Sequence, residues 1–159
     1  MLKDAFKILM NGTEDECIDY IEKCRKEFKS LPPEEVAFPR TVSNVEKWKS
    51  SADMYNKGCP IHVRGAILYN HWTVKKKIDH KYATINNGEK IKFCYLKTPN
   101  WMHENVISFI QDFPTELDLD KHVDYDLQFN KAFLEPVKVI LDCIGWETER
   151  KNTLESFFS

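Results

Sequence analysis

The stretch from Lys57 to Lys97 concentrates the side chains able to do recognition chemistry: nine Lys or Arg stand against two acids, Asp79 and Glu89. It opens with Cys59-Pro-Ile-His-Val-Arg-Gly-Ala-Ile-Leu-Tyr-Asn70, and His62, Tyr69, Asn70, His71, Trp72 and Tyr82 run through it. Positive charge neutralises phosphates, and polar or aromatic tips among lysines let a surface follow a sugar-phosphate backbone. The remainder of the chain is acidic, so a formal net charge of -2 conceals a polarised molecule. Residues 111–159 alone carry five basic against eleven acidic side chains. A nucleic acid would be held by one end of such a chain and repelled by the other. The composition predicts a surface that grips nucleic acid.

Other chemistry is weaker in the pattern. Cys59-x-x-His62 resembles half of a zinc site, but no second pair follows at matching spacing, so buried structural thiols are the expectation. Five widely spaced cysteines (Cys17, Cys24, Cys59, Cys94, Cys143) read as free thiols in a reducing cytoplasm. No signal-like start and no run of membrane-spanning length occurs, so no membrane partner is expected. Five His are present without a nucleophile, base and orienting group in one pattern, which leaves a hydrolase unsupported.

These residues need elements to position them. Leu2, Ala5, Phe6 and Leu9 share a helical face that ends at Asn11-Gly12. Thr13-x-x-Glu16 is a capping-box signature, and Cys17, Ile18, Ile21, Cys24 and Phe28 follow at helical spacing, predicting an amphipathic helix over residues 14–29. Leu31-Pro-Pro stops it, and residues 30–42 read as an extended linker. Ser43-x-x-Glu46 repeats the capping pattern for a short helix closing around Ser50–Ala52. Pro60 suits the first turn of a helix to about Trp72, with Val63, Ala66 and Ile67 inward and Arg64, His71 and Lys75–Lys77 outward. Asn86-Asn-Gly88 between Tyr82–Ile85 and Ile91–Leu96 predicts a hairpin, with Val106–Ile110 as a third strand. Helical spacing returns from Asp118 to Ile144, with a kink or break near Ala132–Phe133 ahead of Pro136 and a stop at Gly145. The fold class is α+β: a mostly helical domain with a small antiparallel sheet or hairpin insertion. Domain boundaries fall at 1–147 for the folded body and 148–159 for a flexible tail.

Three segments together resemble the thumb domain of family B DNA polymerases, nearest to the replicative enzymes of large tailed bacteriophages. The Cys59–Asn70 segment is similar to the helix that follows the palm-proximal part of that thumb. Tyr125 through Pro136-Val-Lys-Val-Ile-Leu-Asp-Cys-Ile-Gly-Trp146 is similar to its closing helix. Thr153-Leu-Glu-Ser-Phe-Phe158 is similar to the peptide by which such polymerases plug into a sliding clamp, with Lys151 where the usual pattern has Gln. The exonuclease, palm and fingers have no counterpart in these residues. Asp118-Leu-Asp120 has the spacing of a palm metal pair but the setting of an acidic helix start, where carboxylates favour the helix dipole.

The resemblance implies a non-catalytic thumb that grips primer-template duplex without sequence preference. It implies a partner chain carrying exonuclease, palm and fingers, a sliding clamp as second partner, and no cofactor on this chain, the divalent metals lying on the partner's palm. Lys57, His62, Arg64, Tyr69, Asn70, Lys75, Lys76 and Lys77 are the expected duplex contacts, with Tyr69 also suited to the core beside Ile67 and Leu68. Leu154, Phe157 and Phe158 are the expected clamp anchors. Met1 followed by a helical pattern, with a natural-looking C-terminus, favours the small chain of a split polymerase over an excised fragment or a stand-alone DNA-binding descendant. The competing reading is an independent single-strand binder stacking bases on Trp72, Tyr82, Tyr95 and Trp101.

Overall fold

A computed structural model describes Lys7 and residues 11–147. The expected Leu2–Leu9 helix and the tail from residue 148, with Leu154, Phe157 and Phe158, lie outside the described residues. The chain forms two units, one from its two ends (up to Ser30 and from Phe129) and one from Leu31–Gln128.

In the unit built from the ends, helix α1 (Glu14–Lys29) starts where the sequence predicts. The Thr13 hydroxyl accepts from the Glu16 amide, and Glu14, Asp15 and Glu16 fill the first turn where the helix dipole favours negative charge. Its buried stripe is Cys17, Ile18, Ile21, Cys24 and Phe28. Phe28 meets Phe129 edge-on at 5.3 Å between centroids, Phe129 stacks on Phe133 at 5.1 Å, and Arg25 lies 4.9 Å over the Phe129 ring. Pro136 has no N–H to return to Ala132, and its ring would strike that carbonyl. The chain relieves this with a π turn over Asn130–Leu134, in which the Glu135 amide reaches back to the Asn130 carbonyl. The break expected before Pro136 is thus a widening of the helix, which resumes as an α-helical segment (Glu135–Ile144) ending at Gly145 with φ +76°.

The second unit holds short helix α2 (Pro33–Val36), strand β1 (Phe38–Thr41), short helices α3 (Val45–Trp48) and α4 (Ser51–Met54), and the long helix α5 (Ile61–Lys75). Strands β2 (Lys90–Tyr95) and β3 (Val106–Phe109) follow, then two 3₁₀ turns (Thr115–Leu117 and Asp120–His122). Helix α6 (Tyr125–Phe129) leads out of this unit, and the segment Glu135–Ile144 is α7. The sheet is antiparallel in the order β1-β2-β3, pairing Phe38 with Phe93 and Cys94 with Ile107. The α+β class holds.

Three local expectations change. The linker over residues 30–42 contains β1, because Pro39 lies on an edge strand, where a missing donor costs no ladder bond. The hairpin across Asn86–Gly88 does not form: β2 pairs with β1 and β3, and Tyr82–Ile85 is not a strand. Ser43 does not cap α3. Asn44, at φ 58°, occupies that position without a side-chain bond, and Asn87 Oδ1 accepts the Val45 amide at 2.9 Å. Ser50, expected to close that helix, caps α4 by accepting the Asp53 amide at 3.1 Å.

Helix α5 packs on β3, which is buried throughout. The closest approach is at Gly65, where a Cβ would stand 2.5 Å from Ser108 Oγ and 2.9 Å from its amide nitrogen. Ser108 Oγ donates to the His62 carbonyl at 2.8 Å across the same contact. Gln128, fully buried, donates to the Val36 carbonyl at 2.8 Å and accepts the Tyr95 amide at 2.9 Å, satisfying both backbone groups. Among the described residues, no helix is long and apolar enough to cross a membrane.

Candidate nucleic-acid interface

Helix α5 carries five of the eight expected duplex contacts, with Lys76 and Lys77 at its C-terminal cap, and the structure sorts them by burial. Tyr69 is 1% exposed, and its hydroxyl donates to the Ala83 carbonyl at 2.9 Å. Burial pushes its pKa up to about 12, the cost of a phenolate in an apolar site. Tyr69 is therefore a core residue, its hydroxyl turned to the Ala83 carbonyl and not to a phosphate. Asn70 is half-buried, donating to the Ile85 carbonyl at 2.9 Å and accepting the Ile85 amide at 2.8 Å. These two side chains take the backbone groups that a hairpin partner would have taken, which is why Ala83–Ile85 needs no strand.

His62 Nε2 donates to the Thr41 carbonyl at 3.2 Å, and burial lowers its pKa, disfavouring the charged ring. Arg64 is half-buried, with Nη2 donating to Asn105 Oδ1 at 2.5 Å. Both therefore face neighbouring parts of this unit. Cys59 Sγ lies 3.6 Å from the Pro60 carbonyl, so Cys59 and His62 point to separate carbonyls. Cys17, Cys24 and Cys94 are the buried thiols, whereas Cys59 is half-buried and Cys143 exposed.

The exposed charge gathers at the C-terminal end of α5. Lys75, Lys76 and Lys77 are all exposed, as is Lys57 in the loop before the helix. The helix ends in a Schellman arrangement: the Lys77 amide donates to the Val74 carbonyl at 3.0 Å and the Ile78 amide to the Thr73 carbonyl at 2.9 Å. Lys77 takes the left-handed position at φ 59°, where glycine is the usual occupant. This cap fixes the direction of the triplet. Cations at a helix C-terminus also satisfy the dipole, an ordinary structural reason for lysines there.

Two aromatic residues join this end. Trp72 and Trp101 meet at 4.8 Å with planes at 89°, and His71 lies edge-on to Trp72 at 5.1 Å. Lys75 Nζ is 5.0 Å over the Trp72 ring and Lys76 Nζ 5.2 Å over the Trp101 ring. Trp101 comes from the segment after β2, and its Nε1 donates to the Leu117 carbonyl at 2.7 Å. No spacing in the sequence links Trp101 to Trp72; only the fold brings them together. Of the other rings considered for stacking, Tyr82 is buried and Tyr95 packs against Phe38 and Phe93.

Two further lysines of the basic stretch are already engaged. Lys81 pairs with Glu116, which also accepts from the Tyr82 hydroxyl. Those two bonds hold the Glu116 carboxyl down to about 2. Lys92 Nζ donates to the Glu34 carbonyl at 3.2 Å. Asp118 follows a 3₁₀ turn at φ 54° and pairs with Lys121 at 3.1 Å. No α-helix starts at the Asp118–Asp120 carboxylates: they flank 3₁₀ turns, which corrects the expectation of a helix N-terminus there.

No protein-family model matches the chain. It is similar to the DNA-directed DNA polymerase of Enterobacteria phage T4, with 22% identity over 161 aligned residues. The alignment covers 99% of this chain and 17% of that polymerase, so the relationship is distant and the chain spans a small part of the relative's length.

Proposed function

We propose that this chain is a non-catalytic, thumb-like part of a replicative DNA polymerase that holds primer-template duplex by its phosphate backbone. The observation that carries this reading is similarity to a phage DNA polymerase along nearly the whole chain. The exposed lysines at the end of α5 support it, because backbone contacts hold a duplex whatever its sequence. Lys57, Lys75, Lys76 and Lys77 form the electrostatic set in this reading. Arg64 and His62 position α5 against its neighbours, and Asn70 holds the Ile85 segment. Polymerase chemistry and its divalent metals belong to a partner chain with exonuclease, palm and fingers, or to a further portion of the same protein, in the cytoplasm. The contribution of this chain is retention and alignment of the primer end. The tail residues Leu154, Phe157 and Phe158 tether the assembly to a sliding clamp.

The test is the salt dependence of primer-template binding by the assembled polymerase. Each neutralised phosphate contributes about -0.9 to the log-log slope, so replacing Lys75, Lys76 and Lys77 by Ala flattens the slope by about 2–3. An unchanged slope removes these lysines from the interface. Deleting residues 153–159 abolishes clamp-dependent processivity and spares duplex binding; surviving processivity ends the tether reading.

A further inference from the structure

We propose that the C-terminal end of α5, whose lysines the duplex reading also uses, binds an unpaired base of a single-stranded nucleic acid. Trp72 and Trp101 form its stacking surface, and Lys75 and Lys76 are its phosphate partners. The site goes beyond a duplex grip, because the base faces of a duplex are covered by their stacked neighbours, leaving its phosphates and base edges for a protein to touch. An indole needs a bare base face.

Four observations carry this. The two rings meet at 89°, so they present faces in two directions. Each is overlaid by a lysine ammonium, at 5.0 Å for Trp72 and 5.2 Å for Trp101. Both lysines are exposed and their stems flexible, so a flat ring can displace them to its edge, where they meet the attached phosphate. The platform is anchored: Trp101 is held by its bond to the Leu117 carbonyl, and Met102 beside it is 6% exposed. Beside the rings lies a depression of about 320 Å³ lined by His71, Trp72, Met102, Tyr55 and Lys49, with Glu104 on its wall. It shares Lys49, Ile67 and His71 with a neighbouring depression of about 360 Å³, giving a largely apolar floor. Stacking on an aromatic side chain ignores base identity, since every base has a π face.

The experiment follows tryptophan fluorescence of the full chain during titration with oligothymidylate, with a blunt hairpin duplex of equal phosphate number, and with thymidine monophosphate. Oligothymidylate is expected to quench emission, and the other two to leave it unchanged at matched concentration. Trp72→Leu is expected to weaken single-strand binding by about 5- to 100-fold and to leave duplex binding unaltered. Lys75→Ala with Lys76→Ala, both at exposed positions, serves if Trp72→Leu fails to fold. It is expected to flatten the single-strand salt slope by about 1.4. Equal quenching by duplex or by the monophosphate overturns the inference, as does undiminished single-strand affinity in the variants. Single-strand binding by the parent chain without any duplex binding counts against the thumb reading alone.

Discussion

Gly65→Ala is expected to destabilise the protein, although alanine is the better helix former. In an exposed helix the exchange gains about 1 kcal/mol. Here the new Cβ would stand 2.5 Å from Ser108 Oγ, 2.9 Å from the Ser108 amide nitrogen and 3.2 Å from the Ile107 carbonyl carbon. The hydroxyl can rotate away, giving up its bond to the His62 carbonyl at a cost of about 1 kcal/mol, which cancels the propensity gain. The two backbone atoms belong to β3, which is paired to β2 and cannot yield alone. Overpacking of that kind costs about 1–3 kcal/mol, and nothing else offsets it. Urea unfolding should show a midpoint lowered accordingly at unchanged slope. Adding Ser108→Ala removes the nearest clash but leaves the amide, so the double variant should recover only part of the loss. A Gly65→Ala protein as stable as the parent, or more so, would refute the claim that α5 sits this close to β3.

Asn70→Ala should cost about 1–3 kcal/mol for each Ile85 backbone group it orphans, measured by thermal unfolding, while the salt slope of DNA binding stays unchanged. Lys77→Gly should raise the denaturation midpoint by about 0.5–1 kcal/mol of stability, since an L residue at φ 59° carries a left-handed penalty that glycine escapes. Glu116 has a carboxyl depressed to about 2, so its contribution is present above pH 4.5 and fades as pH falls toward 2. Glu116→Gln should therefore be less stable than the parent near neutrality, the two converging with acidification; a constant difference across that range would show that Glu116 does not titrate against Lys81 and Tyr82.

Local signals were legible where one residue type had one physical job. The Thr13 cap, the buried stripe of α1, the helix after Pro60 and the disturbance ahead of Pro136 each follow from short-range chemistry. Strand β1 was hidden because prolines argue against sheets except at an edge, and edge position is a property of the assembled sheet. Asn86-Asn-Gly88 announces a turn, but the residues before it bond to side chains of α5 instead of to β2. For the same reason Tyr69 and Asn70 read as surface contacts in the sequence: a polar tip looks alike whether it meets solvent or a distant backbone group. The lysine triplet was visible as charge, whereas its conjunction with Trp101 required the fold.

The unit made from the chain's two ends has a consequence for biosynthesis. Phe28 emerges from the ribosome long before Phe129, its edge-on neighbour, with the whole of the other unit translated in between. Phe28 must therefore wait for that partner until the helix carrying Phe129 is made. The inserted unit has all its strands by Phe109 and can consolidate first. Translation stalled ahead of Phe129 would leave Phe28 without its edge-on partner, an apolar ring open to chaperones.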